Sequence, residues 1–435
     1  MPFKELTFPE GLRLLHRWQA GEPEAKQRLQ EIFTDVFSGQ VDELFADPSP
    51  QNSVHVSGSI DLLTLGIVFD LFGITAKQLY QEDPERYVRS VLLTLKLLGM
   101  PKSYLSWPVY GFTAEALGQE MIYSDRYSPG TNPEVTLIDA SNWQDLPPVD
   151  LTTGIPKILD KTLDFYERLT GFHSVLHLSA PYSLAADIFG QEHLINALTR
   201  QPEMVNDFLD LLADRVLVPW MDHYFAQHPQ GWVEFSDASG SPFFIGPRNC
   251  RDVAIRSIRR IIDQNPWGDR VYDANYRGDY VTQVSPRSGS GARRRKPVQP
   301  EQPAITLEEL FEAKHGVCRD YVIRLADDRV DVELYVEEAI KRNIPLFMGV
   351  GATQIDRNTM ADLSLASKDL AATINEHVAG ICRVANHLAA HGYRDRTPPW
   401  PGTIYFEDVS AESSFELIEV IVGVVLSEGR GKILL

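Results

Sequence analysis

Acidic side chains recur where short apolar runs of this chain end. The run 232–237 closes on SDASG, the run 270–275 opens into YDANYRGD, and the run 403–408 closes on FED. Asp237, Asp273, Glu407 and Asp408 therefore stand at the carboxyl ends of three β-rich segments. Carboxylates gathered in one place suppress each other's ionisation, so one can hold a proton at neutral pH for general acid work, or the group can bind a hard cation. Capping of the next helix, or pairing with Arg251 or Arg277, competes for each acid taken singly. Acids on three such ends together favour chemistry. Asp237 and Asp273 are expected to manage protons or hold a cation, with Glu407 or Asp408 as the second acid; a divalent metal would draw on Asp237 and Glu407. Around them, Tyr182, Ser239, Asn275 and Arg277 are expected to contact a small-molecule substrate.

The histidines and cysteines say less. His315 and Cys318, in KHGVCRDY, could supply two ligands to a soft metal such as zinc, but an HxxC pair without a second pair is a weak metal motif. His377 and Cys382 fall within one amphipathic stretch, with Cys382 expected in the core and His377 at the surface. Cys250 opens a helix, a place that lowers a thiol pKa to useful effect only beside a basic partner. The GVGAT turn at 349–353 lets backbone approach a ligand, as glycine turns after strands do.

What must position these strand ends is a repeating strand–helix unit. From about residue 174 onward, β-rich runs at 174–179, 232–237, 270–275, 344–350 and 403–408 alternate with long amphipathic stretches, the pattern of parallel strands joined by helices. The stretch 202–226 opens on a proline and carries Val205, Phe208, Leu212 and Val216 on one face. A second, 367–391, carries Leu370, Ile374, Val378, Ile381, Ala385 and Leu388 at helical spacing. The N-terminal third is mostly helical and includes 83–98 behind a capping residue. One insert, SPRSGSGARRRKPVQPEQP at 285–303, is rich in Pro, Gly and Ser with a basic run at 293–296. It is expected as a mobile loop with a solvated tip, a basic lid over an anionic substrate being the alternative. Strand–helix units continue on both sides of it. The expected architecture is thus α/β, a single (β/α)8 barrel over 56–435 with an inserted loop, behind a helical extension at 1–55. In such barrels catalytic side chains stand at the carboxyl ends of the strands, where the acids of this chain lie.

Bulk properties narrow the partners. At 435 residues, 43% hydrophobic and 23% charged, the chain can bury a large core. A net charge of −19 repels phosphate backbones and anionic lipid, which argues against a general nucleic-acid or membrane-surface role. It also argues against a polycarboxylate substrate unless cations are concentrated in the pocket. The three cysteines, without CxxC spacing, indicate neither a disulfide framework nor a structural zinc site, so a cytoplasmic setting is expected. No apolar run approaches the ~18 residues of a membrane span, and MPFKELTFPEGLRLLHRW lacks the apolar stretch of a signal peptide. A homodimer is compatible with all of this.

Several segments, in order, resemble the uroporphyrinogen decarboxylase superfamily, which also contains cobalamin-linked methyltransferases and is more distantly similar to cobalamin-independent methionine synthase. AEALGQEMIY (114–123), the linker and helix DLPPVDLTTGIPKILDKTLDFYERL (145–169) and APYSLAADIFG (180–190) look like the family's EALG turn, its Leu-Pro-Asp linker and its GPfTLA turn. QPEMVNDFLDLLADRV (201–216), VEFSDASGSPFFIGPRNCRDVAIRSIRRIID (233–263) and PGTIYFEDVSAESSFELIEVIVGVV (401–425) are similar to the helices and strand ends that follow. The likeness spans about 56–425 and rests on shared order and spacing.

The departures are as informative. No counterpart of the family's RQAGRY motif is present, and the aspartate before the EALG turn falls near Val109. The site tyrosine after the TLA turn falls at Asp187, which the resemblance therefore adds to the acids of the mouth. The serine of the next strand end falls at Asp237, and the C-terminal GHG histidine near Phe406 or Glu407. The methyltransferase branch holds zinc with an HxC pair and a later cysteine, at positions that look like Asp273, Asn275 and the Glu407 region. The resemblance thus implies decarboxylase-type carbon–carbon lyase chemistry on a small anionic substrate other than uroporphyrinogen. The alternatives are methyl or other one-carbon transfer with a corrinoid protein or thiol partner and a carboxylate-held metal, with or without His315 and Cys318, and a barrel that binds without catalysis.

Overall fold

The computed structural model describes residues 6–45, 53–100, 105, 111–265, 267, 270–273, 305–315, 317, 321–324, 332–358, 362–391 and 402–434; the insert at 285–303 lies outside them. Within these, nine strands form: β1 (His55–Gly58), β2 (Met121–Ile122), β3 (Gly130–Thr131), β4 (Val175–Ser179), β5 (Trp232–Ser236), β6 (Val271–Asp273), β7 (Tyr321–Arg324), β8 (Leu346–Val350) and β9 (Gly402–Phe406). β2 and β3 make a small antiparallel pair. The rest are parallel throughout, in two arcs: β4–β5–β6, and β7–β8–β9 with β1 added beyond β9. The expected α/β class with parallel strands is present, and the described residues show two arcs without a closed ring.

Alternation along the strands explains why they form here. In VLHLS and WVEFS, the apolar positions Leu176, Leu178, Val233 and Phe235 are buried with the helices, and successive side chains of a strand point to opposite faces. The other face of β4 and β5 therefore carries His177, Ser179, Glu234 and Ser236. In β9, Ile404 and Phe406 are likewise buried in the core, leaving Thr403 and Tyr405 on the opposite face. The register puts His55 beside Thr403 and Ser57 beside Tyr405. That face is more polar than the helix-covered one, although Val175 and Trp232 also lie on it.

Helices cover the outer face. Leu363–Ala390 packs on β8 and β9, Phe415–Gly429 packs on it and on β1, and Pro181–Phe189 follows β4 directly. The first two helices, Phe8–Gln19 and Pro23–Phe37, pack on each other and on Pro84–Leu97, the first also reaching Phe415–Gly429. Thr7 and Glu10 cap the first reciprocally, and Asp83 accepts from the Arg86 amide at the start of Pro84–Leu97.

Two expectations are corrected. The stretch 202–226 is helical throughout, as expected, but not uniformly α: Pro202–Leu212 passes through a π-helical turn, Ala213–Leu217, into Val218–Gln227. Pro219 has no N–H to give the Arg215 carbonyl, and that carbonyl instead accepts from the Val149 amide at 3.3 Å. His377, expected at the surface, is 3% exposed: the helix starts at Leu363 and is covered on more than one side, so an amphipathic reading of a single face misplaces it. Cys382 is buried as expected. Among the described residues no helix is long and apolar enough to cross a membrane.

Candidate active site

The carboxyl end of β5 carries the best-defined acid. Asp237 is the first residue past the strand, and it is 2% exposed. The Ser183 hydroxyl, from the helix after β4, donates to its Oδ1 at 2.9 Å, and the Gly240 amide donates to the same oxygen at 3.2 Å. Ser183 in turn accepts from the Ser239 amide at 3.2 Å, which leaves its proton for Asp237. Gly240 is required by space: a Cβ there would overlap the Asp237 carboxylate. Burial raises the Asp237 carboxyl to about 6, an effect that the Ser183 and Gly240 hydrogen bonds and the Lys314 ammonium reduce without cancelling. The group therefore titrates close to neutrality.

Around it stand polar groups in reserve. Tyr182 is fully buried and its hydroxyl finds no partner among the described residues; burial and the Asp237 charge both raise its pKa. The Ser241 hydroxyl is likewise buried and, among the described residues, unpartnered. An unmade hydrogen bond at a buried hydroxyl costs stability, so such groups persist where a ligand can complete them. Asp187 lies one turn beyond Ser183 on the same face of Pro181–Phe189, part-buried, and burial pushes its carboxyl up to about 7. Lys314, 4% exposed, places a cation within electrostatic reach of Asp237.

The other arc is built differently. Glu407 and Asp408 follow β9, and the Glu407 amide donates to the Val350 carbonyl of β8 at 2.8 Å. Asp408 adopts a left-handed backbone, φ 47°, a conformation Asp tolerates better than most side chains. The Val409 amide then returns to the Ser59 carbonyl at 2.8 Å. Both acids are part-exposed.

Three further polar groups are not anticipated from the sequence. His177 on β4 faces Glu234 on β5, its Nδ1 3.6 Å from Glu234 Oε1, and both are buried. Its Nε2 lies 2.9 Å from the Leu105 carbonyl; a carbonyl only accepts, so Nε2 carries the proton. Just past β1, the buried Asp61 accepts from the Tyr87 hydroxyl at 2.6 Å. The sequence does hold a trace of the first: His177 and Glu234 are polar residues at alternate positions of otherwise apolar runs. Lys314 has a similar one, since Leu307, Leu310, Phe311 and Lys314 follow the i, i+3, i+4, i+7 pattern of a buried helix face.

That pattern corrects the weight given to His315. It is the last residue of Leu307–His315 and exposed, with its pKa lowered by burial of part of the ring and by Arg342, whereas its neighbour Lys314 is inside. The structure brings Tyr182, Asp187, Asp237, Ser239 and Lys314 to one end of the β4–β5 pair. Asp273 ends β6, in register with Phe235 of β5; its side chain, like all of Asn275, Arg277 and Cys318, lies outside the described residues. Arg251 pairs with its neighbour Asp252. Among the described side chains, no group of three or more His, Cys, Asp or Glu is placed to hold a metal ion.

No family model matches the sequence, and no curated protein does. Among solved structures, a methyltransferase from Methanosarcina mazei superposes with a TM-score of 0.59 at 10% identity, over 89% of this chain and 97% of that one. At that identity the likeness is one of fold, and it extends over nearly the whole of the other protein.

Proposed function

We propose that the two arcs belong to one (β/α)8 barrel of the uroporphyrinogen decarboxylase superfamily, and that the chain is an enzyme removing a carboxyl group from a small anionic substrate at the barrel mouth. Sequential parallel strands with outer helices support the barrel, as does the contact of Leu105 with His177 beside β4, where a strand between β1 and β4 would run. The observation that carries the reaction is Asp237, a buried strand-end carboxyl raised to about 6 beside a Tyr182 hydroxyl unpartnered among the described residues.

Decarboxylation breaks the bond between the substrate carbon and its carboxylate, releases CO2 and leaves the electron pair on carbon. A protonated Asp237 supplies the proton that carbon then takes, and is left ionised; Asp187, raised to about 7 one turn beyond Ser183, would pass a proton back from solvent. Lys314 offsets the negative charge of the incoming substrate. The substrate that fits is a small carboxylic acid whose own π system can delocalise the pair.

The test is release of labelled CO2 from carboxyl-labelled heteroaryl-acetic and β-keto acids by the purified chain. Release that falls at least ~100-fold in Asp237→Asn supports the reading. Release unchanged by that substitution, or none from any such acid, overturns it. Conversion of uroporphyrinogen to coproporphyrinogen would restore the porphyrin substrate.

Methyl or one-carbon transfer is the second reading, favoured by the fold shared with the Methanosarcina protein. There Asp237, Asp273 and Glu407, with Cys318 or His315 from the loop, would hold zinc or another divalent metal facing a thiol or a corrinoid protein. Copurification of one equivalent of metal, lost in Asp237→Ala, would select it.

A further inference from the structure

A cavity of about 340 Å³ opens between the N-terminal helices and the loops after β8 and β9. Trp18, Lys26, Asp70, Arg126, Tyr127 and Arg357 are among the residues that line it. Most of its charges are already satisfied. Lys26 pairs with Asp70 at 3.0 Å, and Arg357 donates to the Glu412 carboxylate through Nε at 3.1 Å and Nη2 at 2.8 Å. The Trp18 indole also donates to Asp70, at 2.9 Å.

Arg126 is the exception. Among the described residues it makes no ion pair; its guanidinium lies over the Phe69 ring, 5.2 Å from the centroid. Burial raises the Asp70 pKa, but the Trp18 and Lys26 hydrogen bonds and the field of Arg126 outweigh this and hold it below its usual value, so Asp70 stays ionised. Three cations against the Asp70 and Glu412 carboxylates leave the cavity net positive in a chain of charge −19. A cavity of this sign within so acidic a protein suits an anion.

Shape restricts the anion further. Gly66 lines the cavity from the middle of the apolar helix Asp61–Phe72, where glycine is destabilising relative to alanine. A Cβ there would meet only the Ala411 Cβ, at 3.8 Å, so the missing side chain leaves open space and relieves no clash. Trp18 and the half-exposed Tyr127 offer flat faces on which a ring can pack. We propose that this cavity is a second binding site, for a small aromatic anion whose carboxylate or phosphate pairs with Arg126 and whose ring packs against Trp18 and Tyr127 over Gly66. The proposal stands apart from the chemistry at Asp237.

Calorimetric titration of the full chain with benzoate, phenyl phosphate and cyclohexanecarboxylate tests it, using wild type, Arg126→Gln, Gly66→Leu and Asp237→Asn. Expected is one-to-one binding of benzoate or phenyl phosphate, weakened at least ~10-fold by Arg126→Gln, abolished by Gly66→Leu and unchanged by Asp237→Asn. The stronger of the two aromatic probes tells carboxylate from phosphate. Arg126 is exposed, so its variant decides the matter should Gly66→Leu fail to fold. Three results overturn the proposal: no binding to wild type, binding that survives Arg126→Gln, or binding lost in Asp237→Asn. Cyclohexanecarboxylate bound as tightly as benzoate would overturn its aromatic part.

Discussion

The two arcs of strands end in the same residue type and use it in opposite ways. At β5, Asp237 is enclosed by Ser183, Gly240 and a distant ammonium, and burial lifts its pKa towards neutrality. At β9, Glu407 and Asp408 sit on a part-exposed left-handed turn, and nearby Glu412 is held by Arg357 with its pKa lowered. What separates Asp237 from Glu412 is environment: desolvation raises a buried carboxyl towards neutrality, while a paired guanidinium keeps a carboxylate an anion. The β4–β6 arc thus encloses its strand-end acid, whereas the loop after β9 leaves its own acids part-exposed and sets Glu412 beside the cavity that Arg126 lines.

The comparison can be broken at several points. The largest contrast is kinetic: Asp237→Asn should lower turnover about 10²–10⁴-fold, and Glu407→Gln by no more than about 10-fold, measured on the substrate identified by CO2 release. Similar losses at both sites would erase the distinction between arcs. Next comes Gly240→Ala, which changes no ionisable group but drives a methyl into the Asp237 carboxylate. It should cost roughly 1–3 kcal/mol in chemical denaturation and most of the activity. A fully active Gly240→Ala protein would mean that the enclosure of Asp237 is not needed.

Stability should then depend on pH in a direction set by burial. Because the Asp237 pKa is about 6 in the folded protein against 3.8 for an unburied aspartate, the folded state holds the proton more tightly. Its contribution to stability is complete below about pH 4 and is lost as pH rises through 6. Replacing the carboxylate by Asn should therefore stabilise the protein by roughly 1–3 kcal/mol at pH 8 and leave it nearly unchanged at about pH 4. A variant that is less stable at pH 8 would place the ionised carboxylate among favourable partners. The smallest effect belongs to Tyr182→Phe, which removes a buried hydroxyl with no described partner. Stability should hold within about 1 kcal/mol while KM rises, since only the substrate loses a contact.

Much of this is legible in the sequence because alternation is a local property. The runs 174–179, 232–237 and 344–350 contain the strands the structure shows, and the acids past β5 and β9 follow from where the apolar positions stop. What local pattern does not supply is pairing across the fold. Asp61 gains meaning from Tyr87, and His177 from Glu234 and the Leu105 carbonyl, all partners distant in sequence. The π-helical turn before Pro219 is hidden for a related reason: its freed carbonyl is satisfied by Val149, far upstream. Lys314 is easily passed over beside His315 because a histidine near a cysteine suggests a metal, while the helical period that buries the lysine spans the whole of Leu307–His315.

Proton donation at the β5 end requires that Asp237 keep its proton near neutrality. Infrared difference spectra between wild type and Asp237→Asn, recorded from about pH 4 to pH 8, isolate the carbonyl stretch of that one carboxylic acid. A protonated band that disappears around pH 6 is the predicted result. A carboxylate already ionised at the acid end of that range would contradict it, and with it the proposed proton donor.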